Sequence, residues 1–435
     1  MNDSRSVRML RATIFHVPQS PFRDGDGMVA LSDGALVTRG GRIVACDDYG
    51  KLRDRYPDAA VDDRRGSYIL PGFIDTHVHF PQVRIIGALG YSLLDWLDKV
   101  ALPEEARLAD TSYARTIAQE FLHALASNGT TTALVFGSHF PDATAALLET
   151  AEHRGIRVFS GLVLADRGLR PELRRTARQA YDDCRALIAR FRTTYVVTPR
   201  FALSTTPDML EVCRTLLRET PSLRFTTHIN ENPDEISGVL HLFPDAKDYL
   251  AVYERFDLVG RRSVLAHNVH AGASELCRIR AQDASVAHCP ASNAALGSGV
   301  FPMRGHVEAG VRFALGTDVG AGAGFGMLKE AMQAYLLQRI AVEPMLLSPA
   351  QMLYLATRAG AEALALENET GDFCAGKSAD FVCIRPEAAS LLESALGNAE
   401  SEARALGVLI TLASHTDIQE VRIEDQVVYA RRPAA

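Results

Sequence analysis

The chain is poor in lysine. Among 435 residues only Lys51, Lys99, Lys247, Lys329 and Lys377 carry it, so its positive charge is nearly all arginine. None of these lysines ends an apolar run. No basic tract of five or more residues occurs and the net charge is -7, which excludes a nucleic-acid partner held through its phosphates. The seven cysteines are odd in number, scattered, and never spaced C-x-x-C. That excludes a disulfide framework, a structural zinc knot and the deaminase class built on H-x-E with P-C-x-x-C, and it favours a reducing, cytoplasmic setting. No apolar run is long enough to span a bilayer, and the opening stretch, broken by charge and Pro18, does not read as a signal peptide. No G-x-G-x-x-G follows a first strand, which counts against a doubly wound dinucleotide-binding sheet.

What is present has two textures. Up to Tyr68, short β-type runs alternate with turns; "GALVTRGGRIVAC" reads as strand, Gly-Gly turn, strand. Similar texture returns after Gly371 in "GDFCAGKSADFVCI" and "IQEVRIEDQVVYARR". Between them, helical stretches lead into eight apolar runs: "YILPGFIDTHVHF", "TTALVFG", "RVFSGLVL", "TTYVVTPRF", "RFTTHIN", "SVLAHNV", "ASVAHCP" and "VRFALGTD". Eight strand-then-helix units point to an α/β fold, a (β/α)8 TIM-like barrel. The expected organisation is a barrel over residues 69–375, with a small β-sandwich domain assembled from residues 1–68 and 376–435.

In such a barrel the working residues sit at the C-terminal ends of the strands. The polar residues there are His77, His79, Arg200, His228, His267, His288 and Asp318. His77 and His79 are two apart on a strand and so share a face. H-x-H alone recurs by chance in chains of this length; its place at the end of a buried strand gives it weight. His228 or His267 alone reads as a satisfied histidine, and Asp318 alone as a helix cap. Together, several histidines and one carboxylate at one barrel mouth suit Zn²⁺. Glu231, three residues past His228, can reach the same pocket without binding metal and is placed to shuttle protons. His123 reads as structural. His16, His153, His241, His306 and His415 lack strand-end context. His270 is expected to cap or orient the following helix. His288, which follows a strand, is expected to shape the pocket, and Cys289 reads as a buried thiol rather than a ligand or nucleophile.

The stretches "PGFIDTHVHF", "HINEN", "LAHNVH", "AHCPASNAALGSG" and "LGTDVGAG" resemble the amidohydrolase superfamily. Within it the H-x-H-x-x-Q run His77–Gln82, the Pro199-Arg200-Phe201 motif and "YSLLDWLDKVALPEEA" are similar to the guanine deaminase family. The resemblance covers roughly residues 69–375. It implies one Zn²⁺ per subunit, with iron as the other candidate, bound by His77, His79, His228 and Asp318. It implies Glu231, His267 and Asp318 as catalytic groups, and Gln82, Arg200, Phe201, His228 and Glu231 around the purine base. The implied reaction is hydrolysis of guanine to xanthine and ammonia, in purine catabolism, by a cytoplasmic homodimer. Many superfamily members hold two metals with a carbamylated lysine; none of the lysines here ends a strand, and Arg200 stands near that place, which favours one metal. The family's usual Ser is Asn230 here, a departure that bears on substrate range. A deaminase of a related heterocycle (8-oxoguanine, an adenosine-type base, a pterin or a triazine) is the alternative enzyme. A barrel that has lost catalysis and serves as a scaffold is the non-enzyme alternative, disfavoured because ligands and acid are all kept.

Overall fold

A computed structural model describes residues 7–22, 25 and 27–431; the first six and last four positions of the expected terminal domain lie outside the described residues. Four strands open the chain: β1 (Arg8–His16), β2 (Val29–Arg39), β3 (Arg42–Asp48) and β4 (Ala60–Pro71). β2 and β3 form the hairpin expected around Gly40 and Gly41, whose φ values of 57° and 79° explain the glycines.

The run "YILPGFIDTHVHF" is expected as one strand, but the structure divides it at Gly72. Tyr68–Pro71 belongs to β4, and β5 (Phe73–His79) begins the barrel. At the crossing, Gly72 N–H bonds to the Asp380 carbonyl and Phe73 N–H to that of Gly129, so neighbouring residues serve different sheets. A Cβ on Gly72 would stand 2.2 Å from Thr131 Oγ1, so the crossing needs glycine.

The other runs become β6 (Thr130–Phe136), β7 (Arg157–Gly161), β8 (Val163–Leu164), β9 (Val196–Pro199), β10 (Arg224–Ile229), β11 (Ser263–His267), β12 (Ser285–His288) and β13 (Arg312–Leu315). The third run is broken at Leu162: β7 pairs with β6, while β8 pairs with β9. Every pairing from β5 to β7 and from β8 to β13 is parallel. A bridge between Ser160 and Tyr195 joins the two groups. Beyond β13, Asp318 N–H bonds to the His77 carbonyl (2.8 Å) and His79 N–H to that of Val319 (2.9 Å), tying the last strand's extension to the first strand.

The helix Thr111–Ser127 shows why the outer layer forms. Asp110 caps it by accepting from Ser112 and Tyr113 N–H, and Ala114, Ile117, Ala118, Phe121, Leu122 and Leu125 bury one face at helical spacing. It stops at Asn128-Gly129, where Gly129 takes φ 84°. Burying a side chain such as Leu122 stabilises the fold by about 1.5–3 kcal/mol.

After the barrel come β14 (Phe381–Ile384), β15 (Ile418–Ile423) and β16 (Gln426–Ala430). They join the N-terminal strands in one seven-stranded sheet, in the order β16-β15-β14-β4-β1-β2-β3. Leu10, Ile14, Leu36, Ile69 and Phe381 pack in one apolar cluster of this sheet, and Met9, Ala35, Val37 and Leu52 in another. The C-terminal segment is less uniformly β than its ends suggest. Helices Leu391–Gly397 and Glu402–Leu412 intervene, and the second buries Leu406, Leu409 and Ile410 against the helices Met327–Arg339 and Pro349–Ala356.

The seam between β7 and β9 has no room for a side chain: a Cβ on Gly161 would lie 1.7 Å from the Val196 carbonyl oxygen. Gly161→Ala is therefore expected to cost about 1–3 kcal/mol or more, because backbone rather than a rotatable side chain must give way. Denaturant melts of the two chains measure this.

Candidate active site

The strand-end residues converge in one pocket. His77 and His79 end β5, His228 lies near the end of β10, His267 ends β11, and Asp318 follows β13; all are buried. The Nε2 atoms of His77 and His79 are 3.2 Å apart, and those of His79 and His228 3.3 Å. Asp318 Oδ1 stands 3.2 Å from His77 Nε2 and 3.1 Å from His79 Nε2.

These spacings suit a bound cation. Donors about 2.0–2.1 Å from a tetrahedral ion stand about 3.3 Å from one another. His228 Nδ1 donates to the Arg200 carbonyl at 2.6 Å. In the neutral ring Nε2 is then a bare lone pair, aimed at the Nε2 of His79. Burial holds His228 well below the usual histidine range and brings His77 down to about 4. Burial alone would raise Asp318, but hydrogen bonds from His77 and His79 reverse that and hold it well below the usual carboxylate range. Neutral imidazoles beside an ionised carboxylate are the protonation states of a metal-binding set.

The second carboxyl behaves oppositely. Burial, with the Asp318 charge adding to it, pushes Glu231 up to about 8. Its Oε1 accepts from Ser298 Oγ at 3.2 Å and its Oε2 lies 3.5 Å from His267 Nε2. His267 is oriented by Asn293, whose Oδ1 is 2.9 Å from Nδ1. His267 Nε2, with no hydrogen-bond partner of its own, lies 3.9 Å from Asp318 Oδ2. The cavity is lined by His79, His228, Glu231, His267 and Asp318. Gln82, Arg200 and Phe201 face it as well, and Leu93, Trp96, Leu97 and Leu296 supply apolar wall.

Four non-glycine residues at these strand ends have left-handed backbone: Asn230 (φ 50°), His267 (71°), Asn268 (50°) and Asp318 (47°). Each such conformation costs about 1–3 kcal/mol, and Asn, Asp and His adopt it most readily. This accounts for Asn230. Its amide donates to Asn268 Oδ1 and Glu275 Oε1, within the loop framework. His270 holds that framework too, through Nε2 to the Ser298 carbonyl at 2.7 Å, rather than capping a helix. His288 lies behind the pocket with its ring stacked on Phe301 at 4.3 Å. Cys289 is buried, and burial pushes its thiol well above the usual range, as an unreactive thiol requires.

Sequence reading missed several groups. Glu105 and His139 are buried beside Arg200. His139 follows β6 closely and carries the same strand-end signal as the others. Glu105, in a helix beyond the first strand, carries none. Asp75 was also missed, although it alternates with His77 and His79 along β5. It accepts from His77 N–H, Thr317 N–H and Thr317 Oγ1 at 3.2, 3.1 and 2.5 Å.

A sequence profile of the amidohydrolase family matches residues 68–412. The chain belongs to this family. A short profile of an imidazolonepropionase-like composite domain from bacteria matches residues 34–59. Among curated amidohydrolase relatives, the probable guanine deaminase of Deinococcus radiodurans is 53% identical, over 99% of this chain and 100% of its own length. The guanine deaminase of Escherichia coli is 36% identical over 99% of this chain and 100% of its own. The solved structure of the Escherichia coli guanine deaminase superposes with a TM-score of 0.94, covering 98% of this chain and 100% of that one.

The buried Asp75–Thr317 contact holds the metal-side strands together without touching the pocket. Thr317→Val keeps the shape and removes the hydroxyl, leaving Asp75 short of a partner. Unfolding of the metal-stripped chain is expected to become easier by about 1–3 kcal/mol. Working without metal separates strand joining from ion binding.

Proposed function

We propose that this amidohydrolase hydrolyses guanine to xanthine and ammonia. The observation that carries the reading is the meeting, in one pocket, of a metal-type ligand set, a buried carboxyl that keeps its proton, and the planar donors of Arg200 and Gln82. The full-length relatives named guanine deaminase support the choice of base. His77, His79, His228 and Asp318 would hold one Zn²⁺. When bound, the ion supplies Lewis acidity that brings the pKa of water to about 7.

The chain's own residues do the rest. Gln82 and Arg200 receive the oxo edge of the base, where a guanidinium offers fixed donors and an amide offers one of each kind. Phe201 gives apolar contact to the ring. Leu93, Trp96 and Leu97 exclude bulk water above it. Asp318, ionised, takes a proton from the attacking water, and His267 orients that water through Nε2. The water oxygen bonds to C2, the carbon bearing the amino group. Glu231 delivers its proton to the neighbouring ring nitrogen, then passes the proton held on Asp318 to the departing amine. The C2–N bond breaks and ammonia leaves; the C2 hydroxyl gives its proton to Glu231 as the C2 oxo group forms, so Asp318 is ionised and Glu231 protonated again.

The reading includes a cytoplasmic homodimer. The seven cysteines are all free thiols, which suits a reducing compartment. No helix among the described residues is long and apolar enough to cross a membrane. Light scattering decides the oligomeric state.

The test is ammonia release from guanine, run beside adenine, 8-oxoguanine, cytosine and a pterin, with a metal-stripped control. Metal-dependent release from guanine is expected; release from another base alone would move the specificity, and none from any base would overturn the reading. Glu231→Gln is expected to lower kcat by at least about 100-fold while metal content stays unchanged. Near-normal turnover would remove Glu231 as the proton carrier. His77→Ala is expected to empty the site of metal, read by elemental analysis of the dialysed protein; retained stoichiometric metal would remove His77 from the ligand set.

A further inference from the structure

Glu105 lies in the helix Leu102–Ala106, outside the ring of strands, and is buried. Its carboxylate gathers three donors from three separate places along the chain. Gln82 Nε2 donates to Oε1 at 2.8 Å, Arg200 donates to Oε2 at 2.6 Å, and His139 Nε2 lies 3.1 Å from Oε2. Burial would raise this carboxyl, but Arg200 and His139 more than reverse that and keep it ionised. Glu105 does not line the cavity; Gln82 and Arg200 do.

We infer that Glu105 is the positioning residue that fixes how Arg200 and Gln82 meet the oxo edge of a purine. The inference rests on the guanine reading above and adds a determinant to it. Gln82 is anchored at both ends of its amide, because Oε1 accepts from Gly320 N–H at 3.0 Å while Nε2 donates to Glu105. Turning the amide over would set its oxygen against a carboxylate and its NH2 against an N–H. Its polarity is therefore locked, and one N–H and one lone pair remain for the base. Arg200 is held in the same way. One guanidinium nitrogen is spent on Glu105, so the remaining N–H groups point in a fixed direction. Without the carboxylate, Gln82 would keep only its Gly320 N–H anchor, its NH2 no longer held, and Arg200 would be an unpaired buried charge. The site would then lose its preference for an oxo group.

The chain carries its own probe. Trp96 is the only tryptophan and lines the cavity. Its fluorescence reports binding of bases that are not turned over. Hypoxanthine keeps the oxo edge and lacks the 2-amino group; purine has neither. In zinc-loaded Glu105→Gln, hypoxanthine is expected to bind about 10- to 100-fold more weakly, the scale of charge-assisted hydrogen bonds, and purine less than about threefold more weakly. Glu105→Asp keeps the charge opposite Arg200 but withdraws it by one methylene. It is expected to show the same one-sided loss, smaller in size, should the Gln variant fold poorly. Equal weakening of both bases, or unchanged hypoxanthine binding in a folded variant, would overturn the inference and reduce Glu105 to a packing role. A parent chain that releases no ammonia from guanine would instead overturn the functional reading, a result independent of the hypoxanthine-to-purine ratio.

Discussion

The site depends on how the last strand is tied to the first. Asp318 meets His77 and His79 only because its N–H bonds to the His77 carbonyl and the His79 N–H bonds to the carbonyl of Val319. Asp75 reinforces this junction from inside, gripping Thr317 through both backbone and hydroxyl. Burial raises the Asp75 carboxyl to about 7, so the junction includes a group that is itself costly to ionise. Residues about 240 apart in sequence are thereby set within hydrogen-bonding distance. The left-handed backbone of Asp318 then bends the chain so that its carboxylate turns back toward the histidines.

That geometry sets the protonation of three buried carboxyls by their neighbours. Asp318 faces imidazole nitrogens and stays ionised. Glu231 faces Asp318, a serine hydroxyl and apolar wall, and keeps its proton into neutral pH. Glu105 faces a guanidinium and is ionised as well, away from the reacting atoms. In the proposed reaction these three serve as base, acid and fixed counter-charge. Burial is common to all three, so it does not distinguish them; the nearest charged or polar partner does.

The part of this legible in sequence is the part governed by short repeat geometry. The period of two put His77 and His79 on one face, and apolar runs marked the strand ends where His228, His267 and Asp318 sit. The motif "LPEEA" gave no sign that Glu105 would turn inward, because its partners come from segments distant in sequence. His139 stands three residues past the end of β6, beyond Gly137 and Ser138, so the apolar run does not lead directly into it. The split at Gly72 was hidden because both halves of the run are buried and apolar, and only the switch of hydrogen-bond partners separates them. The helices within the C-terminal segment were masked by the β-type runs on either side.

The arrangement around Arg200 also bears on how many ions the site takes. A second cation would need an anionic ligand near the middle strands. Arg200 follows β9 there, its guanidinium paired with Glu105 and aimed at the cavity. A fixed positive charge repels a further cation, and the one carboxylate beside it is already engaged by three donors. His77, His267 and Cys289 do stand close enough together to be considered as a second set. His77, however, is shared with the first set. The charge of Arg200 and the double claim on His77 therefore support the single ion of the proposed function.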